Sequence, residues 1–358
     1  MRVCILGDGL SALTLAKVLI NQNIFVDMLA QKKINNINQT RTLGISKYNL
    51  DFFNKNIINI EKLIWKINSI EIFTDNLKDE KLLNFKNGNS QLFSIIRNSE
   101  LFKILEKNLL KNKYFKKVII SHDNLSLIKD YELVINCDHD HKITQKYFSK
   151  KIIKKYNSLA YTTIIEHEKT HNDTAVQIFT KLGPLAFLPI ANNQTSVVYS
   201  VQSPNKKYNN IEELINNYNF KYKINKIKKI EKFELQSLNL RSYHHNNILA
   251  FGDLLHRIHP LAGQGFNMTI RDIIEISEII KKKLKLGLPL DKSICIDFEN
   301  NIRHKNLIFS NGINLIHEFF NIERKLKNNI LSKSVKFLGK NPSINKIFTQ
   351  IADRGILF

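Results

Sequence analysis

The sequence predicts an α/β fold in which a parallel βαβ domain is interrupted by a β-rich insertion and finished by helices. Three observations predict it. The chain enters as a short apolar run, Val3-Cys4-Ile5-Leu6, followed by a glycine-bearing turn and an amphipathic stretch over residues 11–21. Between residues 156 and 240 the apolar side chains fall in short runs bounded by polar turns, the pattern of strands. Beyond residue 251 the pattern becomes helical and stays so.

Taken in order, residues 2–6, 11–21 and 24–29 form a strand, a helix and a second strand. Alternation near residues 67–73 and 81–85 predicts a small β-excursion. Leu101, Leu105 and Leu109 share one face of a helix over residues 100–110. Residues 117–121 and 131–136 follow as strands, the second ending at Cys137-Asp138. The insertion carries strands near 162–165, 175–180, 185–190 and 196–201. A last strand, 248–251, runs through a Gly/Pro-rich turn into a long helix over 266–286. The expected organisation is a nucleotide-binding domain in three parts, 1–68, 91–155 and 241–290. A β-excursion at 69–90, a β-sheet domain at 156–240 and a helical region at 291–358 complete it.

The chain has 358 residues, enough for two domains, and 43% of them are hydrophobic, which excludes global disorder. No apolar run reaches the roughly 18 residues of a membrane helix, and the N-terminus has no signal-peptide pattern. The expected location is therefore cytoplasmic. Cys4, Cys137 and Cys295 are too few and too scattered for a disulfide framework or a zinc site. Lys and Arg outnumber Asp and Glu by 54 to 32, and the excess is mostly lysine. Without arginine and aromatic residues interleaved in a patch, this charge speaks for a solvated lysine surface and against a nucleic-acid reader.

Gly7-Asp8-Gly9-Leu10-Ser11-Ala12 is a G-x-G-x-x-A turn between a strand and a helix. Gly7 permits the tight turn, Gly9 lets the backbone approach a pyrophosphate, and Ala12 keeps helix and strand close. A ribose-binding carboxylate is expected at the end of the second strand. Ala30 stands there with Gln31 beside it, and Gln31 is the neutral substitute for a ribose contact.

The second motif is Gly252-Asp253 followed by His259-Pro260-Leu261-Ala262-Gly263-Gln264-Gly265-Phe266-Asn267. Gly252 permits close backbone approach, and Asp253 is placed to accept hydrogen bonds from ribityl hydroxyls. Pro260 stiffens the turn, while Gly263 and Gly265 let the backbone pass a flat ring. The helix that follows would aim its N–H groups and dipole at that ring.

This motif resembles the flavin-binding signature of the ubiquinone-biosynthesis hydroxylases, relatives of para-hydroxybenzoate hydroxylase. Arg41, opening Arg41-Thr42-Leu43-Gly44-Ile45-Ser46, is similar to the family's arginine facing FAD. Gly183-Pro184-Leu185-Ala186-Phe187-Leu188-Pro189 resembles the strand entering its substrate chamber, and Arg271-Asp272 fits the helix after the signature. Asp138 keeps the acid of the family's Asp-Gly pair, but His139 replaces the glycine. A histidine held in a glycine-type conformation there would be strained.

The resemblance implies the para-hydroxybenzoate hydroxylase fold, with a Rossmann-like FAD-binding domain, an inserted β-sheet substrate domain and C-terminal helices. It implies an FAD-dependent monooxygenase that uses NADH or NADPH as co-substrate. Dioxygen would reach a phenolic, polyprenylated quinone precursor through a flavin C4a-hydroperoxide. His259 and Pro260 would lie near the flavin ring. Contact with other quinone-biosynthesis proteins and with the inner face of a membrane is also implied.

Two other constellations compete for attention. Cys137, His139 and His141 alternate along the chain, but no fourth metal ligand is evident, and no metal site is expected. Ala30 and His139 motivate an alternative function, a degenerate flavoprotein acting as a non-catalytic member of a quinone-biosynthesis complex.

Overall fold

The computed structural model describes residues 1–31, 39–77, 80–86, 91–120, 125–202, 210–259, 263–326, 333–336, 341, 350 and 353–354. Strand Arg2–Leu6 lies inside a six-stranded sheet, with Phe25–Gln31 and Val134–Asn136 parallel on its two sides. Ile248–Ala250 and Phe115–Ile120 continue the parallel run outward, and His244–His245 adds an antiparallel edge. Val3, Cys4, Ile5 and Leu6 are wholly buried. A parallel strand covered on both faces reads as a continuous apolar run, and this one does. Helices Leu10–Asn21 and Asn98–Leu110 pack together in that cover, the latter through the fully buried Leu101, Leu105 and Leu109.

Three parallel strands end at one rim. Gly7 follows the first, Cys137-Asp138 the second, and Phe251-Gly252 the third. The crevice beyond the carboxyl ends of such strands is where open α/β sheets bind ligands.

The insertion forms a nine-stranded sheet built on Lys151–His167, which pairs with Gln194–Gln202 on one side and Glu231–Leu240 on the other. Gly183–Ala191, Thr174–Thr180, Ser69–Thr74 and Lys81–Lys86 extend it in that order, so the β-excursion is part of the large sheet. One face is a core, in which Ile165, Val176, Leu185, Phe187 and Tyr199 pack with Ile211 and Ile215 of helix Ile211–Tyr218. The other face carries smaller side chains at its centre. Ala160 lies opposite Ser200, Thr162 opposite Val198, and Ala186 beside Val198. This face meets the first domain, where the Thr42 hydroxyl donates to Ser196 Oγ (2.9 Å) and Thr40 Oγ1 lies 3.2 Å from Thr162 Oγ1.

A third sheet, absent from the sequence expectation, stands between the two domains. It pairs Thr42–Ser46 and Ile64–Ile67 with opposite edges of Phe93–Arg97, all antiparallel. The alternation expected near 67–73 is the strand Ser69–Thr74, while Ile67 ends the strand Ile64–Ile67 of the other sheet. Asn68 separates them, its N–H bonded to the Asp173 carbonyl (2.9 Å). Helices Lys47–Asn56 and Ile211–Tyr218 also went unanticipated. Helix Gln264–Lys285 begins two residues earlier than expected, and Lys292–Leu326 is one 35-residue helix. Among the described residues, no helix is long and apolar enough to cross a membrane.

Candidate functional site

The two glycine motifs, far apart in sequence, meet at the strand rim. Gly7 adopts φ +91°, and a Cβ there would approach the Asp138 Cβ to 3.2 Å. Gly252 adopts φ +64°, and a Cβ there would come within 2.6 Å of the Ser11 Cβ. Backbone conformation disfavours a side chain at both positions, and at Gly252 the space is taken as well. Gly9, exposed, caps helix Leu10–Asn21, and its carbonyl accepts the Leu13 N–H (3.0 Å). Ala12 is fully buried against the sheet. Asp8 turns its carboxylate to Lys117 (3.0 Å), which also holds Glu106 (3.0 Å), so the acid beside the turn is neutralised. Lys117 carries no motif and was missed from sequence.

At the second strand's end Gln31 is half-buried and Ala30 is buried. Asp27 cannot stand in for the missing acid, because it accepts from the Tyr131 hydroxyl (2.7 Å) and pairs with Arg2 (3.3 Å). Arg41 is exposed, and its carbonyl accepts the Asn98 N–H (3.1 Å).

Asp138 is buried, with Oδ1 accepting the Asp140 N–H (2.9 Å) and its own N–H donating to Asn136 Oδ1 (3.0 Å). The strain expected at His139 is not found. Among the described residues, the non-glycine residues at positive φ are Asn23, Asn157 and Asn246. His139 instead accepts, through Nε2, a hydrogen bond from Arg257 (2.7 Å). Burial, then the Arg257 charge, push its pKa down to about 4, so the ring is neutral at pH 7. Its replacement of glycine thus changes a contact, not the backbone conformation. The His141 Nδ1 accepts the Ile143 N–H (3.2 Å) as a helix cap.

In the second motif, Asp253 is exposed at the rim, within a short 3₁₀ turn over Gly252–Leu254. Pro260, Leu261 and Ala262 lie outside the described residues. Gly263, at φ +64°, caps helix Gln264–Lys285, and a Cβ there would lie 3.3 Å from the Gly44 nitrogen. Gly44 in turn has no room for a side chain, because a Cβ would strike the Phe93 ring at 2.1 Å. Gly265 is exposed with nothing near its Cβ position, so that stretch of backbone is open to a ligand. Phe266 points inward to Phe53, ring centroids 6.5 Å apart. Asn267 is occupied internally. Its Oδ1 accepts from the Ser46 N–H and Asn49 Nδ2 (both 2.9 Å), and its Nδ2 donates to the Gly44 carbonyl (3.2 Å). It therefore shapes the loop by tying it to the small sheet.

The histidines that bracket this motif differ. His256 is buried and bonded to Asp272 (2.5 Å), which also accepts from Asn306 (3.0 Å). Burial alone would lower its pKa, but the Asp272 charge and hydrogen bond raise it. His259 is equally buried, and neither ring nitrogen has a hydrogen-bond partner among the described residues. Burial, then His317, push its pKa down to about 3.

Residues 197–286 match the FAD binding domain family. A ubiquinone hydroxylase, UbiL of Rhodospirillum rubrum, is 27% identical over 173 residues, 43% of this chain and 38% of that protein. The chain thus spans well under two thirds of that relative. The mitochondrial ubiquinone biosynthesis monooxygenase COQ6 of Dictyostelium discoideum is 22% identical over 83% of this chain and 70% of its own length. Among solved structures, p-nitrophenol 4-monooxygenase PnpA from Pseudomonas putida superposes with a TM-score of 0.78 over 98% of this chain and 97% of that one, at 11% identity. This chain has the para-hydroxybenzoate hydroxylase fold. Its sequence relatives include ubiquinone-biosynthesis hydroxylases, the family the second motif resembles.

The residues of this fold fit a flavin dinucleotide. Gly7 and Gly252 bring backbone to the strand rim without side chains, and the helix after Gly9 offers uncapped N–H groups. At the other end, Gln264 is buried with Oε1 lacking a partner among the described residues, and Gly265 leaves its surroundings clear. A buried acceptor left unmade is costly unless a bound group satisfies it.

Proposed function

We propose that the chain is an FAD-dependent monooxygenase that hydroxylates the ring of a prenylated phenol or quinol in ubiquinone biosynthesis. The observation that carries this reading is the junction of Gly252 with Ser11, which brings the start of the second motif against the Gly7–Ala12 turn. The names of the sequence relatives supply the substrate class.

In this reading Gly7, Gly9 and Ala12 seat the pyrophosphate at the helix N-terminus, with Gln31 and Arg41 beside the adenosine half. Asp253 accepts from the ribityl chain. Gly263, Gln264 and Gly265 present backbone to the ring, and the first turn of helix Gln264–Lys285 stabilises negative charge there. When bound, FAD supplies the redox chemistry that activates dioxygen for transfer to the ring. The substrate ring would lie against the small-residue face at Ala160, Ser200 and Ala186, away from bulk water.

The reductant we propose is NADH or NADPH, and the site of action the surface of a membrane that presents the substrate to a lysine-rich protein. Purified protein should be yellow, release FAD on denaturation, and convert a prenylated phenol to a product heavier by one oxygen in the presence of NAD(P)H. Colourless protein that does not take up added FAD would refute the assignment.

A further inference from the structure

We propose that His259, braced by His317 and Tyr156, is the polar seat that selects substrates carrying a ring hydroxyl. This deepens the function proposed above and rests on it. A buried imidazole normally finds a partner for at least one ring nitrogen, since an unmade hydrogen bond inside a protein is costly. His259 has neither nitrogen partnered among the described residues at 1% exposure. Its neighbours explain the orientation of the ring but not its chemistry. Tyr156 meets it edge-on with centroids 4.9 Å apart, and His317 lies against it at 4.5 Å. Both neighbours are themselves tied down. The Tyr156 hydroxyl donates to Asn314 Oδ1, and Asn321 Nδ2 donates to His317 Nδ1 (3.1 Å). The imidazole is thus held in place, and its donor and acceptor are left for something else.

The surroundings narrow what that is. His259 lies four residues before Gly263, at the start of the loop that faces the flavin in our reading. Ser158, on the same strand as Tyr156, has a buried hydroxyl that likewise lacks a partner among the described residues. His317 also lines a small cleft with Phe179, Gly183, Pro184 and Phe320, which Asp75 and Lys181 line as well. A neutral imidazole offers one acceptor and one N–H donor, the complement of a phenolic hydroxyl.

A site built to hydrogen-bond a hydroxyl rejects the analogue that lacks it, because its own groups are then left unmade. The experiment titrates flavin-loaded protein with 2-geranylphenol and with geranylbenzene, reading the visible absorbance of the bound flavin. Wild type should bind the phenol about tenfold or more tightly. His259→Phe should abolish that ratio, and His259→Gln, which keeps a donor and an acceptor, should restore part of it. A purely structural histidine would not move the ratio. Replacing it with phenylalanine buries fewer unmade polar groups, so the variant should fold at least as well. The wild-type comparison alone also decides, because equal affinity for the two compounds overturns the seat. An unchanged ratio in His259→Phe overturns it as well. Wild-type holoprotein that binds neither compound overturns the hydroxylase reading itself, and the seat with it.

Discussion

Gly252 lies against Ser11 so closely that a single added methyl would reach 2.6 Å from the Ser11 Cβ. The contact joins the last parallel strand to the first helix, and both glycine motifs depend on it. Gly252→Ala adds that methyl at φ +64°, where an L-residue is already disfavoured. We expect a loss of about 1–3 kcal/mol of stability and most of the bound FAD. Thermal melts and extracted flavin per chain measure both, and a variant with wild-type flavin content would break the link between this contact and the cofactor.

Asn267→Ala tests how the loop is held. The substitution strips partners from the Ser46 N–H, Asn49 Nδ2 and the Gly44 carbonyl, all inside the protein. Leaving such groups unmade costs about 1–3 kcal/mol each at most, with partial recovery by relaxation. Urea unfolding should show a loss of at least about 1 kcal/mol, and flavin release should quicken. If stability falls while flavin binding is untouched, Asn267 supports the small sheet only.

Acid should weaken the fold through histidines buried neutral. His259 and His139 have pKa values pushed down to about 3 and about 4, whereas an unfolded histidine titrates near 6.5. Below that pH the unfolded chain binds protons the native state refuses, so stability falls as pH drops. Each ring contributes a slope of up to about 1.4 kcal/mol per pH unit. His256 has the opposite sign. Its raised pKa gives stability that is fully present below about pH 6.5 and is lost as pH climbs through the folded value. Urea titrations between about pH 4.5 and 6.5 should show a shallower slope in His259→Phe than in wild type. Equal slopes would mean that the ring takes up its proton over the same pH range in the folded and unfolded chain.

Much of this was legible in the sequence, and the limits have physical causes. The Gly7–Ala12 turn and the Gly252–Asn267 segment could be read because glycine at positive φ and a helix start leave local marks. The small sheet could not, since Thr42–Ser46 pairs with Phe93–Arg97 across a long intervening stretch. Gly44 therefore looked ordinary until the Phe93 ring filled the space above it. Asn267 was visible as a motif residue, but its use, binding Ser46, Asn49 and Gly44, is set by a sheet more than 200 positions upstream. Helix Ile211–Tyr218 was overlooked because it is eight residues long among strands. His139 was misjudged for a different reason. The missing glycine suggested strain, yet its backbone is relaxed and its ring answers Arg257.

That pairing leads to the last prediction. If His139 were strained, His139→Gly would relieve the turn and speed flavin reduction by NAD(P)H. The structure argues the reverse. The imidazole is neutral and orients Arg257 through a 2.7 Å bond, while Lys151 stands near enough that burial and the Arg257 charge lower its own pKa. Glycine would release the guanidinium beside a second cation and loosen the segment between Asp138 and the strand His256–Arg257. We therefore expect His139→Gly to melt earlier and to reduce its flavin no faster than wild type. Stopped-flow absorbance of the flavin on mixing with NADH or NADPH measures the rate. His139→Asn, which keeps an acceptor for Arg257, should lie closer to wild type on both counts. Faster reduction in His139→Gly would show that the ring obstructs the reductant, and the Arg257 contact would then be incidental.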